Sequence, residues 1–245
     1  MNTDTISFGF GISSIIIWFF VYIPQFIETY KIKTSRALNF YFLLLWLWGD
    51  VLTYIGATLG NVSILIFWSS IYHIIFNIIF IIQWAYYYCF YDYIDSQSEE
   101  TTPFFSNRHI VNDSKWKILC ASACILSIAI IKYFVFLQIN VLVLGTVISW
   151  ISNLIYILAR IPQLYLNTVR KSMYGLSFST FLLIFIANQT FLISLLVQCN
   201  INVECYIDNL PWIGGICITT ILDLFIFCQF YLYRSGQENE IVTSV

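Results

Sequence analysis

Charge is what this sequence has least of. Its 245 residues include 11 Lys and Arg and 13 Asp and Glu, a charged share of 10%, against about 25% in soluble domains. So few charges cannot build a water-facing shell around a chain that is 60% hydrophobic and 19% aromatic. Disorder is excluded, because it needs low hydrophobicity and high net charge. A basic excess is missing too: the formal net charge is −2, which disfavours a nucleic-acid partner. No zinc-type Cys/His spacing, nucleophile triad, glycine-rich phosphate loop or paired catalytic carboxylates occur. The sequence therefore suggests neither an enzyme nor a resident metal or cofactor. The alternating apolar and polar pattern of a membrane β-barrel is also lacking, since Ile12–Val21 and Ile74–Ile82 are apolar almost throughout. What remains is an all-α integral membrane protein whose surroundings are the lipid bilayer.

A helix crosses the hydrocarbon core with about 20 mostly apolar residues. Charge-free runs, divided at Gly, Asn and Pro signals, predict seven spans at 7–27, 38–59, 63–91, 116–138, 141–166, 176–198 and 211–233. The first lacks the basic flank of a signal peptide, with Asp4 the only charge before Glu28, and its apolar stretch exceeds a typical signal core. It is read as a true helix. Lys31, Lys33 and Arg36, then Arg108 and Lys115, then Arg170 and Lys171, and finally Arg234 all fall on one side of this arrangement. Positive loops stay cytoplasmic, so the N-terminus is expected in the lumen or exterior and the C-terminus in the cytosol.

The chain repeats itself. Tyr22-Ile-Pro24-Gln25 recurs as Arg160-Ile-Pro162-Gln163, at an offset of 138 that also aligns Leu38 with Leu176 and Asp50 with Asn188 without a gap. The third helices repeat at an offset of 146, where Asn77 and Gln83 match Asp223 and Gln229. The organisation is a first three-helix unit (7–91), a polar loop (92–115), a linker helix (116–138), a second three-helix unit (141–234) and a tail (235–245). One linker helix makes the two units parallel, related by an axis along the membrane normal, an arrangement found in transporters.

These residues resemble the PQ-loop repeat family over nearly the whole chain except the loop and tail. Within it, Trp46-Leu-Trp48-Gly49-Asp50, Lys171-Ser172 with Gly175-Leu-Ser177, and Leu210-Pro211-Trp212 look like the vacuolar and lysosomal cationic amino acid exporters. That branch more often carries Asn where this chain has Thr53, and Asp where it has Asn77. The resemblance implies a SWEET-like seven-helix transporter that takes a cationic amino acid as its small-molecule substrate and exports it from an acidic organelle. Carriers of cystine or sugar share the fold, and a seven-helix receptor is the rival of a different class. Paired hinge prolines favour transport over reception.

Asp50 lies about 18 Å into its span at 1.5 Å per residue, near the bilayer middle. An ionised carboxylate there costs at least about 2.5–3.5 kcal/mol, so it needs a partner or a cavity. Asn188, Asn77 and Asp223 fall at similar depth, and the four are the candidate substrate-binding residues. Two carboxylates with no expected basic partner at that depth suit a cationic substrate or a proton. Pro24 and Pro162 each delete a backbone donor, and Gln25 and Gln163 can cover the defect, so these four are candidate hinge and gate residues. Arg160 is expected near a span end as a cytosolic gate anchor. Lys132 is expected to reach an interface by snorkelling, and His73 to be a packing residue. Cys199 and Cys205 flank the loop before the last span and can pair in an oxidising compartment. Asn61-Val-Ser63 is a lumenal glycosylation pattern. Gly56 and Gly60, four apart, allow close helix packing. The charge bias makes one prediction about topology: tags placed before Met1 and after Val245 should lie on opposite sides of the membrane in protease-protection assays, and both tags on one side would break the two-unit organisation.

Overall fold

The computed structural model describes residues 3–60, 64–92 and 113–233. The Asn61 glycosylation pattern, Arg108, His109 and the tail from Arg234 lie outside the described residues, as does most of the 92–115 loop. Among the described residues, seven helices are long and apolar enough to cross a membrane: Thr3–Ile32, Phe40–Leu59, Ile66–Phe90, Lys117–Phe136, Val141–Arg170, Phe178–Cys199 and Leu210–Leu232. They are spans 1 to 7 below.

The second span of each unit begins at a matched cap. Asn39 accepts from the Tyr41 and Phe42 amides, and Ser177 accepts from the Thr180 amide. These side chains satisfy helix N-terminal donors that have no partner within the helix. The first span of each unit ends at a lysine in the left-handed region, Lys33 (φ 57°) and Lys171 (φ 49°). The two turns are therefore built alike.

Span 1 packs on span 6, and span 5 on span 2, as a two-fold axis along the membrane normal requires. Individual bonds obey the 138-residue offset. Ser14 Oγ donates to the Ala187 carbonyl over 2.8 Å, and its equivalent Ser152 donates to the Gly49 carbonyl over 2.9 Å. A Cβ on Gly11 would lie 3.2 Å from Ser194 Oγ, and in the equivalent contact, where glycine and serine exchange places, a Cβ on Gly56 would lie 2.9 Å from Ser149 Oγ. Gly145 is tighter, for a Cβ there would lie 2.5 Å from the Gly60 backbone nitrogen. Small residues of this kind let helix backbones approach where lipid offers no hydrophobic drive. Span 4, the linker, lies outside spans 2 and 5, tied by Trp48 Nε1 donating to Ser127 Oγ over 3.1 Å. Lys132 on it is exposed.

The two prolines do not behave alike. Span 1 is interrupted at Val21, between the helices Thr3–Phe20 and Tyr22–Ile32. Pro24 has no amide for the Phe20 carbonyl and its ring crowds it, which places the break one turn ahead of the proline. Pro162 instead sits inside the unbroken helix Val141–Arg170 and is buried. One of the two candidate hinge prolines thus follows a break and the other lies in a continuous helix. Cys199 and Cys205 form a disulfide.

Candidate functional site

The face that carries the basic turns is sealed by a crossed pair of glutamines. Gln25 donates to the Gly175 carbonyl over 2.8 Å and accepts from the Ser177 amide over 2.7 Å. Gln163 donates to the Ala37 carbonyl over 3.1 Å and accepts from the Asn39 amide over 2.8 Å. Each amide therefore grips the cap of the other unit's second helix, as one β-strand residue grips its neighbour. The turns meet where a Cβ on Gly175 (φ 81°) would lie 2.7 Å from the Ala37 Cβ. Glycine is required there both for that gap and for the left-handed backbone. Gln83 and Gln229 tie each third helix to the first helix of its own unit, donating to the Phe26 and Leu164 carbonyls over 3.2 and 2.9 Å.

Between the units a cavity of about 1140 Å³ reaches toward the opposite face, the one near Asp4. Residues at its deep end include Trp18, Trp46, Asp50, Tyr156, Arg160 and Asn188. The molecule is thus open on the N-terminal face and closed on the basic face.

Asp50 is 1% exposed and held by neutral donors. Tyr156 Oη donates to Oδ1 over 2.6 Å, and the Asn77 amide donates to Oδ2. Tyr156 is in turn fixed by Thr53, whose Oγ1 lies 3.1 Å from Oη and 2.7 Å from Ser152 Oγ. Gly49 makes room for that tyrosine, since a Cβ there would lie 2.6 Å from its ring. His73 Nδ1 is 3.8 Å from Oδ1. Among the described residues no Lys or Arg comes within 4 Å of the Asp50 carboxylate.

The second intramembrane carboxylate differs. Arg160 Nε donates to Asp223 Oδ1 over 2.7 Å and Nη2 to Oδ2 over 3.3 Å, with both residues buried. The expectation that Asp223 lacks a basic partner is corrected by this pair, and Arg160 is not at the basic face where a span-end anchor was expected. Of the four candidate binding residues, Asp50 and Asn188 line the cavity. Asn77 and Asp223 are fully buried behind it, each supporting a residue that reaches the cavity. His73 does pack, with its ring 4.9 Å from that of Trp18, but it also lines the cavity, and its Nε2 has no partner among the described residues. Tyr156 and Ser152 were not visible from sequence, and Thr53 stood out there only as a departure from the family pattern. Tyr156 carried one signal in hindsight, a polar group one turn before Arg160 in an apolar span.

Two three-helix units, a linker and a cavity between them with buried charged residues at its floor define a two-repeat, seven-span membrane protein. Residues 6–66 and 144–202 match the family model for the PQ loop repeat, and the chain belongs to the PQ-loop repeat family. It is similar to the human lysosomal amino acid transporter 1 homolog, 29% identical over 94% of this chain and 84% of that protein. It is also similar to two proteins of Saccharomyces cerevisiae. The vacuolar lysine transporter is 25% identical over 97% of this chain and 96% of its own length. The vacuolar arginine/histidine antiporter is 29% identical over 85% and 78%.

Tyr156→Phe removes a donor to a buried carboxylate and should lower stability by about 1.5–3 kcal/mol. Tyr22→Phe should be near neutral, because that buried hydroxyl has no partner among the described residues. Thermal unfolding of the two purified variants checks this, and equal melting temperatures would remove Tyr156 as the donor.

Proposed function

We propose that this chain carries cationic amino acids, lysine, arginine and histidine, out of a lysosome- or vacuole-like organelle by alternating access. The carrying observation is Asp50, a buried carboxylate at the floor of a one-sided cavity, satisfied only by neutral donors. With Asp223 offset by Arg160, Asp50 gives the floor its negative excess. A substrate of net positive charge complements that excess, and the lysine, arginine and histidine substrates named for the yeast relatives support the same class.

In this reading the N-terminus is lumenal, the C-terminus is cytosolic, and the open cavity is the loading state. Asn188 offers hydrogen bonds from the other unit, while Asn77 steadies Asp50. Asp223 acts through Arg160. The crossed Gln25 and Gln163 bonds are the closed cytosolic gate, and they must part for release. Pro24 and Pro162, next to these glutamines, are where the first helix of each unit flexes. The broken first span supports unequal movement of the two sides.

Asp50→Asn keeps size and one acceptor oxygen, turns the other acceptor into a donor, and removes the charge. Losing one member of a buried charge pair costs about 2–5 kcal/mol, which is roughly 30-fold or more in affinity. Counterflow of labelled arginine in proteoliposomes should therefore collapse at both acidic and neutral lumenal pH. Counterflow that survives while its pH dependence vanishes would make Asp50 a proton carrier instead. Wild-type behaviour at both pH values would remove Asp50 from the site.

A further inference from the structure

The Arg160–Asp223 pair uses only part of the guanidinium. Arginine has five N–H donors in a planar fork, and Asp223 takes one from Nε and one from Nη2. Nη1 and the second Nη2 hydrogen form the other edge, which has no protein partner among the described residues although Arg160 lines the cavity. That edge has the geometry that binds a carboxylate bidentately.

The fold does not require an ion pair at this place. By the repeat offsets, Tyr22 and Asn77 occupy the same positions in the first unit without one. A buried ion pair is costly next to a well-packed apolar pair of similar volume, so a pair that exists in only one unit and touches the cavity calls for a use. Position supplies it. Tyr156, which holds Asp50, and Arg160 are four residues apart on span 5, just over one turn or about 6 Å along the helix. One cavity therefore presents a carboxylate, held from Tyr156, and an open guanidinium edge from the next turn of the same helix, two groups of opposite charge that suit the two ends of a basic amino acid.

We infer that Arg160, oriented by Asp223, receives the α-carboxylate of the bound amino acid while Asp50 faces its side-chain cation. This rests on the cationic amino acid reading above. It explains in physical terms how a site of net negative charge accepts an amino acid and rejects a simple diamine. The diamine leaves the guanidinium edge without the anion it was built for, and brings a second cation toward it.

The test is competition against labelled lysine on the purified full chain by lysine, lysinamide and 1,5-diaminopentane. The last two keep the side-chain cation and lack the carboxylate. Lysine should compete better than either by roughly 10- to 100-fold, the worth of a hydrogen bond to a charged group. The double variant Arg160→Gln/Asp223→Asn removes both charges together and should weaken lysine alone, bringing the three ligands within about threefold of one another. Equal competition by all three in the wild type overturns the inference and leaves the cationic reading standing. So does a double variant that keeps the wild-type ratio or weakens all three alike. If that variant does not fold, the wild-type comparison decides by itself. A wild type that binds no lysine overturns the cationic reading, and this inference with it.

Discussion

A carboxylate in the middle of a bilayer must be satisfied by protein or by something the protein brings to it, because lipid supplies no donors. Much of the centre of this molecule follows from how Asp50 meets that demand. Gly49 has no side chain so that Tyr156 can cross span 2 and donate. Thr53 and Ser152 hold the tyrosine hydroxyl and knit spans 2 and 5 together. Asn77 brings span 3 to the same carboxylate. All these donors are neutral, so the carboxylate is hydrogen-bonded with no Lys or Arg beside it among the described residues.

The two units agree at the basic face and along part of their contact, and differ where a ligand would lie. At the basic face, the cap residues, left-handed lysines and crossed glutamines match across the axis. Midway along the helices, Ser14 and Ser152 match as well. At the cavity floor the correspondence ends. Asp50 corresponds to Asn188, Tyr22 to Arg160, and Asn77 to Asp223. A symmetric frame with an asymmetric floor suits a carrier whose halves rock on one axis while binding a ligand that has a distinct cationic end.

Much of this frame was legible in the amino-acid order. The offset of 138 holds without a gap from Pro24 to Asp50 because the turns after spans 1 and 5 are short and identical in length. Asp50 stood out because a carboxylate in a long apolar run is costly whatever surrounds it. Partner choice was not legible. Arg160 and Asp223 are 63 residues apart and on different spans, and no local pattern says that spans 5 and 7 face each other at that height. Arg160 therefore read as a span-end residue, although span 5 runs on to Arg170. Tyr156 was passed over because tyrosine is common in this chain and its hydroxyl shows its purpose only once span 5 is packed on Gly49. The break in span 1 fell at Val21 rather than at Pro24, because a proline disturbs the turn before it.

The central claim is that Asp50 reserves its charge for a cation in the substrate. Equilibrium binding of lysine and of norleucine to the purified chain tests it most directly, since norleucine keeps the same backbone and a side chain of similar length but lacks the ε-ammonium. The account predicts that lysine binds at least about 30-fold more tightly, the cost of leaving a buried charge unpaired. Equal affinity for the two would contradict it.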